Sequence, residues 1–185
     1  MKRRLTGLIL LSALGLFVQA EQDSIKPLAT FVHPDAAGKL PIIGGVAVVI
    51  SGVDRQTNRL LEDGLAIILL SESIKVVYPN EKEIGKERKV PPEPIEFARK
   101  LGANCLVTGS VVARCGQCSR GKGHCTNDEI RALSLSLVDV PEDKVLVWAL
   151  YEPEDKSPVE VLRSFVKFMI ASLQEQKEEK QEEKK

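Results

Sequence analysis

The chain has 185 residues, 26 Lys and Arg set against 26 Asp and Glu, and only 4% aromatic residues. A charge so near zero supplies no field to steer nucleic acid and no polybasic patch for anionic lipid, which sets aside both classes of partner. With few aromatics the core must be built from Val, Ile, Leu and Ala, and the length suits a single domain.

The N-terminus carries Lys2, Arg3 and Arg4, then an apolar stretch from Leu5 to Val18, then small side chains around Val18-Gln19-Ala20 before polar Glu21. This three-part pattern predicts a secretory signal peptide over residues 1–20. The rival reading is an uncleaved anchor, but the run is shorter than the roughly 20 residues a spanning helix needs. No cysteine stands near Ala20, so the pattern is not that of a lipoprotein. The expectation is a periplasmic protein with no transmembrane segment after cleavage. Past residue 20, 23 basic side chains face 26 acidic ones, a formal charge of −3.

Residues 21–43 hold Pro27, Pro34, Gly38 and Pro41 and read as an N-terminal arm, with Leu28 to Val32 as a candidate edge strand. Gly45 to Ser51 is continuously apolar from Val46 to Ile50, the mark of a strand buried on both faces. Asp54 is a fair N-cap for a helix in which Leu61, Gly64, Leu65 and Ile68 recur at helical spacing. Leu60, Ile67 and Leu70 widen that stripe and predict a mostly buried helix. Ile74 to Tyr78 reads as a second short strand, and Pro79 to Pro94 as a charged surface loop.

Pro94 to Leu101 is a predicted helix closed by Gly102, and Asn104 to Val112 the strand after it. Ile130 to Val140 and Val145 to Tyr151 form a hairpin around Pro141-Glu142-Asp143-Lys144. Ser157-Pro158-Val159-Glu160 spells a capping box with proline at the first helical position. Val159, Leu162, Val166, Met169 and Leu173 then make one apolar seam. Residues 44–173 are thus one α/β domain at the α+β border. Its elements run β-α-β-α-β-β-β-α, a mixed sheet of about five strands with helices packed on it. Residues 174–185, all Gln, Glu and Lys, form a charged tail.

The segment Ala98-Arg99-Lys100-Leu101-Gly102-Ala103-Asn104-Cys105-Leu106-Val107-Thr108-Gly109-Ser110-Val111 resembles the helix–Gly–strand signature of the CsgG-like superfamily of bacterial envelope proteins. That group includes the penicillin-binding-protein activators and is similar in fold to the TolB N-terminal domain. Leu135 to Val140, a turn, and Val145-Leu146-Val147-Trp148 resemble its hairpin of an Asp-bearing strand and a Trp-bearing strand. Val46-Ala47-Val48-Val49 stands where its opening strand belongs. The likeness spans about residues 44–172. It implies a periplasmic binding or assembly domain that works through another envelope protein or a copy of itself, with no catalytic residues to carry over. Glu142-Asp143 replaces the family's Thr-Gly turn, and nothing resembles the long inserts from which the curli channel builds its barrel.

The loop from Arg114 to Asn127 carries the chemistry. Cys115, Cys118, His124 and Cys125 could supply a Cys3His zinc site, since thiolates and imidazole are the ligands zinc prefers. The plainer reading is a disulfide from Cys125 to Cys115 or Cys118, as an oxidising compartment favours. A redox-active Cys-x2-Cys pair is a third option, but such a pair wants a helix N-terminus. Ser119 stands where a c-type haem motif needs histidine. Cys105 reads as a buried thiol, His33 as solvated, and Asp139, Glu142 and Asp143 as a solvated turn. Gly109, within an apolar strand, reads as a bulge or close backbone approach, or more plainly as room for a packed helix. Of Trp148 and Tyr151, one is a candidate interface anchor, with core packing as the competing role.

These readings point to a non-catalytic interaction domain serving envelope assembly, secretion or regulation, with no cofactor. A zinc-binding or thiol-redox protein acting through the cysteine loop is the alternative.

Overall fold

The computed structural model describes residues 25–40, 44–78, 93–118, 125–153 and 155–174, with the backbone alone described at 115–118 and 125–128. The expected signal peptide, His124, most of the charged loop and the tail beyond Gln174 lie outside the described residues.

Five strands form one mixed sheet. They are β1 (Ala29–Val32), β2 (Val46–Ser51), β3 (Cys105–Cys118), β4 (Cys125–Asp139) and β5 (Lys144–Tyr151), in spatial order β1-β5-β4-β3-β2. Among the described strands only β2 and β3 are parallel, and the described part of the crossover that joins them carries two helices. The arm does supply the edge strand, since β1 pairs antiparallel with β5 from Ala29 opposite Leu150 to Val32 opposite Val147. The expected strand at Ile74 to Tyr78 is reduced to an isolated bridge between Val46 and Val76. Val46 donates to the Lys75 carbonyl and Val77 donates to that of Val46, and among the described residues the ladder goes no further. A second closure appears beyond it, where the Glu62 carboxylate accepts the outward Ile50 N–H at 2.9 Å.

Helix α1 (Arg55–Ser71) starts where Asp54 predicts, its carboxylate accepting the N–H groups of Gln56 and Thr57. Helix α2 (Pro94–Lys100) ends in a Schellman motif: Gly102, at φ 70°, donates to Arg99 and Ala103 donates to Ala98. Helix α3 (Pro158–Gln174) opens on the expected capping box, with Ser157 N–H donating to Glu160 at 2.8 Å and Glu160 N–H to Ser157 Oγ at 3.3 Å.

α1 and α3 cover one face of the sheet. Leu61, Leu65, Leu69, Leu162, Phe165, Val166 and Met169 pack there against Val107, Leu133, Leu135, Leu137 and Ala149. The opposite face has a smaller cover, α2, whose Ala98 joins Ala47, Val49, Leu106, Val138 and Val140. One expectation of the helices fails on each: Val159 of the α3 seam is exposed, and so are Leu60, Ile67 and Leu70 of α1. Among the described residues, no helix is long and apolar enough to cross a membrane.

Candidate interaction surface

At 100° per residue, Leu60, Ile67 and Leu70 fall within one arc of about 80° on α1. That arc faces away from the sheet, and the three side chains are 65%, 66% and 52% exposed. Asp63 lies within the arc, between Leu60 and Ile67 along the helix, and pairs with Arg59 at 4.0 Å in a solvated i,i+4 bridge. Residue type alone does not tell this line from the buried stripe, because both are aliphatic and adjacent on the helix. Only the narrowness of the seam that α1 shares with the sheet and α3 separates them.

Two rows of residues cross the part of the sheet that α2 leaves uncovered. One runs Phe31, Trp148, Ser136, Thr108, and the next runs Ala29, Leu150, Ser134, Ser110. Trp148 is half-buried and its indole N–H donates to Ser134 Oγ at 2.8 Å, which fixes the ring against the strand. Phe31 is exposed. Tyr151 is the reverse case: it is fully buried, its hydroxyl has no hydrogen-bond partner among the described residues, and burial pushes its pKa up. Trp148 thus fits the anchor role and Tyr151 the core role.

Beyond Ser110 in β3, and before Leu133 in β4, the two strands pair only with each other among the described residues. They leave the sheet as a two-stranded ribbon, with a bulge at Val112/Ala113 and an ion pair of Arg131 with Glu129 at 2.8 Å. Cys115, Cys118 and Cys125 all lie on this ribbon. Its register sets Cys118 opposite Cys125 and Cys115 opposite Asp128. Cys105 stands apart, in the sheet proper. It is a free, buried thiol, and burial, with the charge of Asp139 adding to it, pushes its pKa up to about 11. This agrees with an inert core role.

At the other end, the β4–β5 turn is tied to the arm. Lys39 Nζ donates to Asp139 at 2.8 Å and to Glu142 at 3.2 Å, and Lys144 pairs with Asp35. The hydrogen bond from Lys39 to Asp139 raises the pKa of Lys39, and that from Lys144 lowers the pKa of Asp35. Asp139 is only 15% exposed, so the solvated-turn expectation fails for it, while Glu142 remains largely in water. His33 is part-solvated, its side chain 27% exposed. Its Nδ1 accepts the Asp35 N–H at 3.1 Å and its ring meets Phe31 edge-on. Asp139 is covered because the arm folds back onto the turn, which local sequence does not show, whereas the side-chain partners of His33 lie within two residues of it. Among the described residues, no group of three or more His, Cys, Asp or Glu could hold a metal ion.

No family model matches the chain, and no curated protein matches it. Solved structures similar to it include the PelC dodecamer from Paraburkholderia phytofirmans, 17% identical with a TM-score of 0.44 over 79% of this chain and 95% of that one. Lipoprotein GNA1162 from Neisseria meningitidis is another, 16% identical with a TM-score of 0.38 over 69% of this chain and 96% of that one. Likenesses of this size carry no argument about what the chain binds or how it assembles.

Proposed function

We propose that this chain is a non-catalytic, exported interaction domain of the bacterial cell envelope that works by docking another envelope protein through the outer face of α1. The observation that carries the reading is the line of Leu60, Ile67 and Leu70. Large aliphatic side chains scattered singly on a surface need no explanation, but three held largely in water on one face of one helix mark a face that a partner would cover. Covering them recovers about 25 cal/mol for each Å² removed from water. The basic, apolar and small-residue order of residues 1–20 supports the periplasmic location, and the likeness to CsgG-like proteins supports an accessory role in envelope assembly, secretion or regulation.

The test is a photo-crosslinking residue placed at Ile67 in the cells from which the chain comes, with Lys167, exposed on α3, as the control position. A discrete protein adduct at position 67 and none at 167 is the expected result. Absence of any protein adduct from 60, 67 and 70 sinks the reading. The competing reading, a zinc-binding or thiol-redox protein using Cys115, Cys118, His124 and Cys125, would show itself in the purified protein as bound zinc or as a cysteine pair that cycles between thiol and disulfide.

A further inference from the structure

The three cysteines of the ribbon are not equivalent once its register is known. Residues directly opposite in an antiparallel pair have Cα atoms about 4.5 or about 5.5 Å apart, according to the hydrogen-bonding state of the pair. Both values fall inside the Cα separation of about 4.4–6.8 Å that a disulfide spans. Cys118 and Cys125 are such a pair. Cys115 is three positions from Cys118 along β3, and at roughly 3.3 Å per residue that is about 10 Å of strand. This exceeds the limit of about 7 Å beyond which a bridge needs backbone movement. Cys115 therefore reaches neither Cys118 nor Cys125 while the ladder is intact.

The same register bears on a metal. From Ala113 to Cys118 the pairing is regular, each step along β3 matched by one step back along β4. Residues three apart on a regular strand belong to opposite faces of it. Cys115 and Cys118 thus sit on opposite faces of the ribbon, and a tetrahedral site with metal–sulfur bonds near 2.3 Å would have to undo the pairing to gather both.

We infer that Cys118 and Cys125 form a cross-strand disulfide that staples the end of the ribbon, leaving Cys115 and Cys105 as thiols. An isolated two-stranded hairpin is at best marginally stable in water, and this one has left the sheet that would support it. A covalent tie at its far end compensates for the missing neighbours. The bond forms by thiol–disulfide exchange with a disulfide oxidant. The thiolate of one cysteine attacks the oxidant and releases one thiol, and the second cysteine then displaces the other. The chain loses two protons and two electrons, and the oxidant becomes two thiols.

The full chain, reduced and then treated with oxidised glutathione, gives the test by non-reducing peptide mapping. The expected product is a peptide pair joined within each molecule, which persists in Cys115→Ser and is abolished in both Cys118→Ser and Cys125→Ser. A cross-link lost in Cys115→Ser or retained in Cys118→Ser overturns the assignment. So does a chain that forms no internal cross-link, or one that carries a stoichiometric zinc whose removal is needed before the cysteines oxidise. Far-ultraviolet circular dichroism of each variant, unchanged from the parent, shows that the comparison is between folded proteins.

Discussion

Gly52 follows β2 at φ 110°, a conformation that L side chains rarely adopt, and a Cβ there would meet the Val111 carbonyl oxygen at 2.1 Å. Neither the dihedral nor the backbone contact can yield cheaply. Gly52→Ala is expected to destabilise the chain by more than about 1 kcal/mol, read as a lowered urea midpoint with unchanged slope. Gly109 works differently. Its backbone is ordinary, but an added Cβ would come within 2.7 Å of Leu135 and 3.6 Å of Ile50. It makes room for Leu135 on the neighbouring strand β4, not for a helix, and the bulge lies further along at Val112/Ala113. Tyr151 offers a substitution of the opposite sign. An unpaired buried hydroxyl costs about 1–3 kcal/mol, so Tyr151→Phe should leave stability unchanged or raise it by up to that amount in the same urea titration. A clear loss would show that the hydroxyl has a partner.

At the scale of elements, what the sequence made legible is what local rules decide. Asp54, Gly102 and the pair Ser157 and Glu160 each satisfy backbone groups at a helix end within a few residues of themselves, and each stands where local chemistry placed it. The hairpin turn at 141–143 is local too, with Asp143 taking the left-handed conformation at φ 52°. What failed depends on partners distant in the chain. Ile74 to Tyr78 has strand-like composition, yet its segment meets only the start of β2, whose later edge Glu62 occupies instead. On α1 the aliphatic stripe is broader than the seam it can bury, so Leu60, Ile67 and Leu70 face water and not the core. The candidate surface was therefore readable in residue type and not in direction. The cysteine ribbon was readable as a cluster, but the choice of Cys118 as the partner of Cys125 needed the register, which spacing alone leaves open.

At the scale of the whole molecule, ionisable groups displaced in opposite directions bound a window of stability. The carboxyls of Asp35, Asp54 and Glu160 are held below their ordinary values, chiefly by hydrogen bonds to Lys144, Thr57 and Ser157 in turn. A carboxyl whose folded pKa is depressed contributes stability that is present above its unfolded value and lost as the pH falls through the folded one. All three lie on the surface, so the acid limb should be shallow and should flatten in salt. On the alkaline side Cys105 and Tyr151 are raised by burial and Lys39 by its bond to Asp139. A raised folded pKa contributes stability that is full below the unfolded value and lost as the pH rises through the folded one. For Cys105 the window opens at the ordinary thiol value of 9.0 and closes near 11, and two units at about 1.4 kcal/mol each make the loss roughly 2–3 kcal/mol. Urea midpoints measured from pH 5 to 11 should therefore hold level to about pH 9 and then fall steeply. The fall should be shallower in Cys105→Ala and shallower again when Tyr151→Phe is added, and salt should change it little because both groups lie in the core. An alkaline limb identical in the parent and the double variant would mean that surface charge, and not burial of these two groups, sets the upper edge of stability.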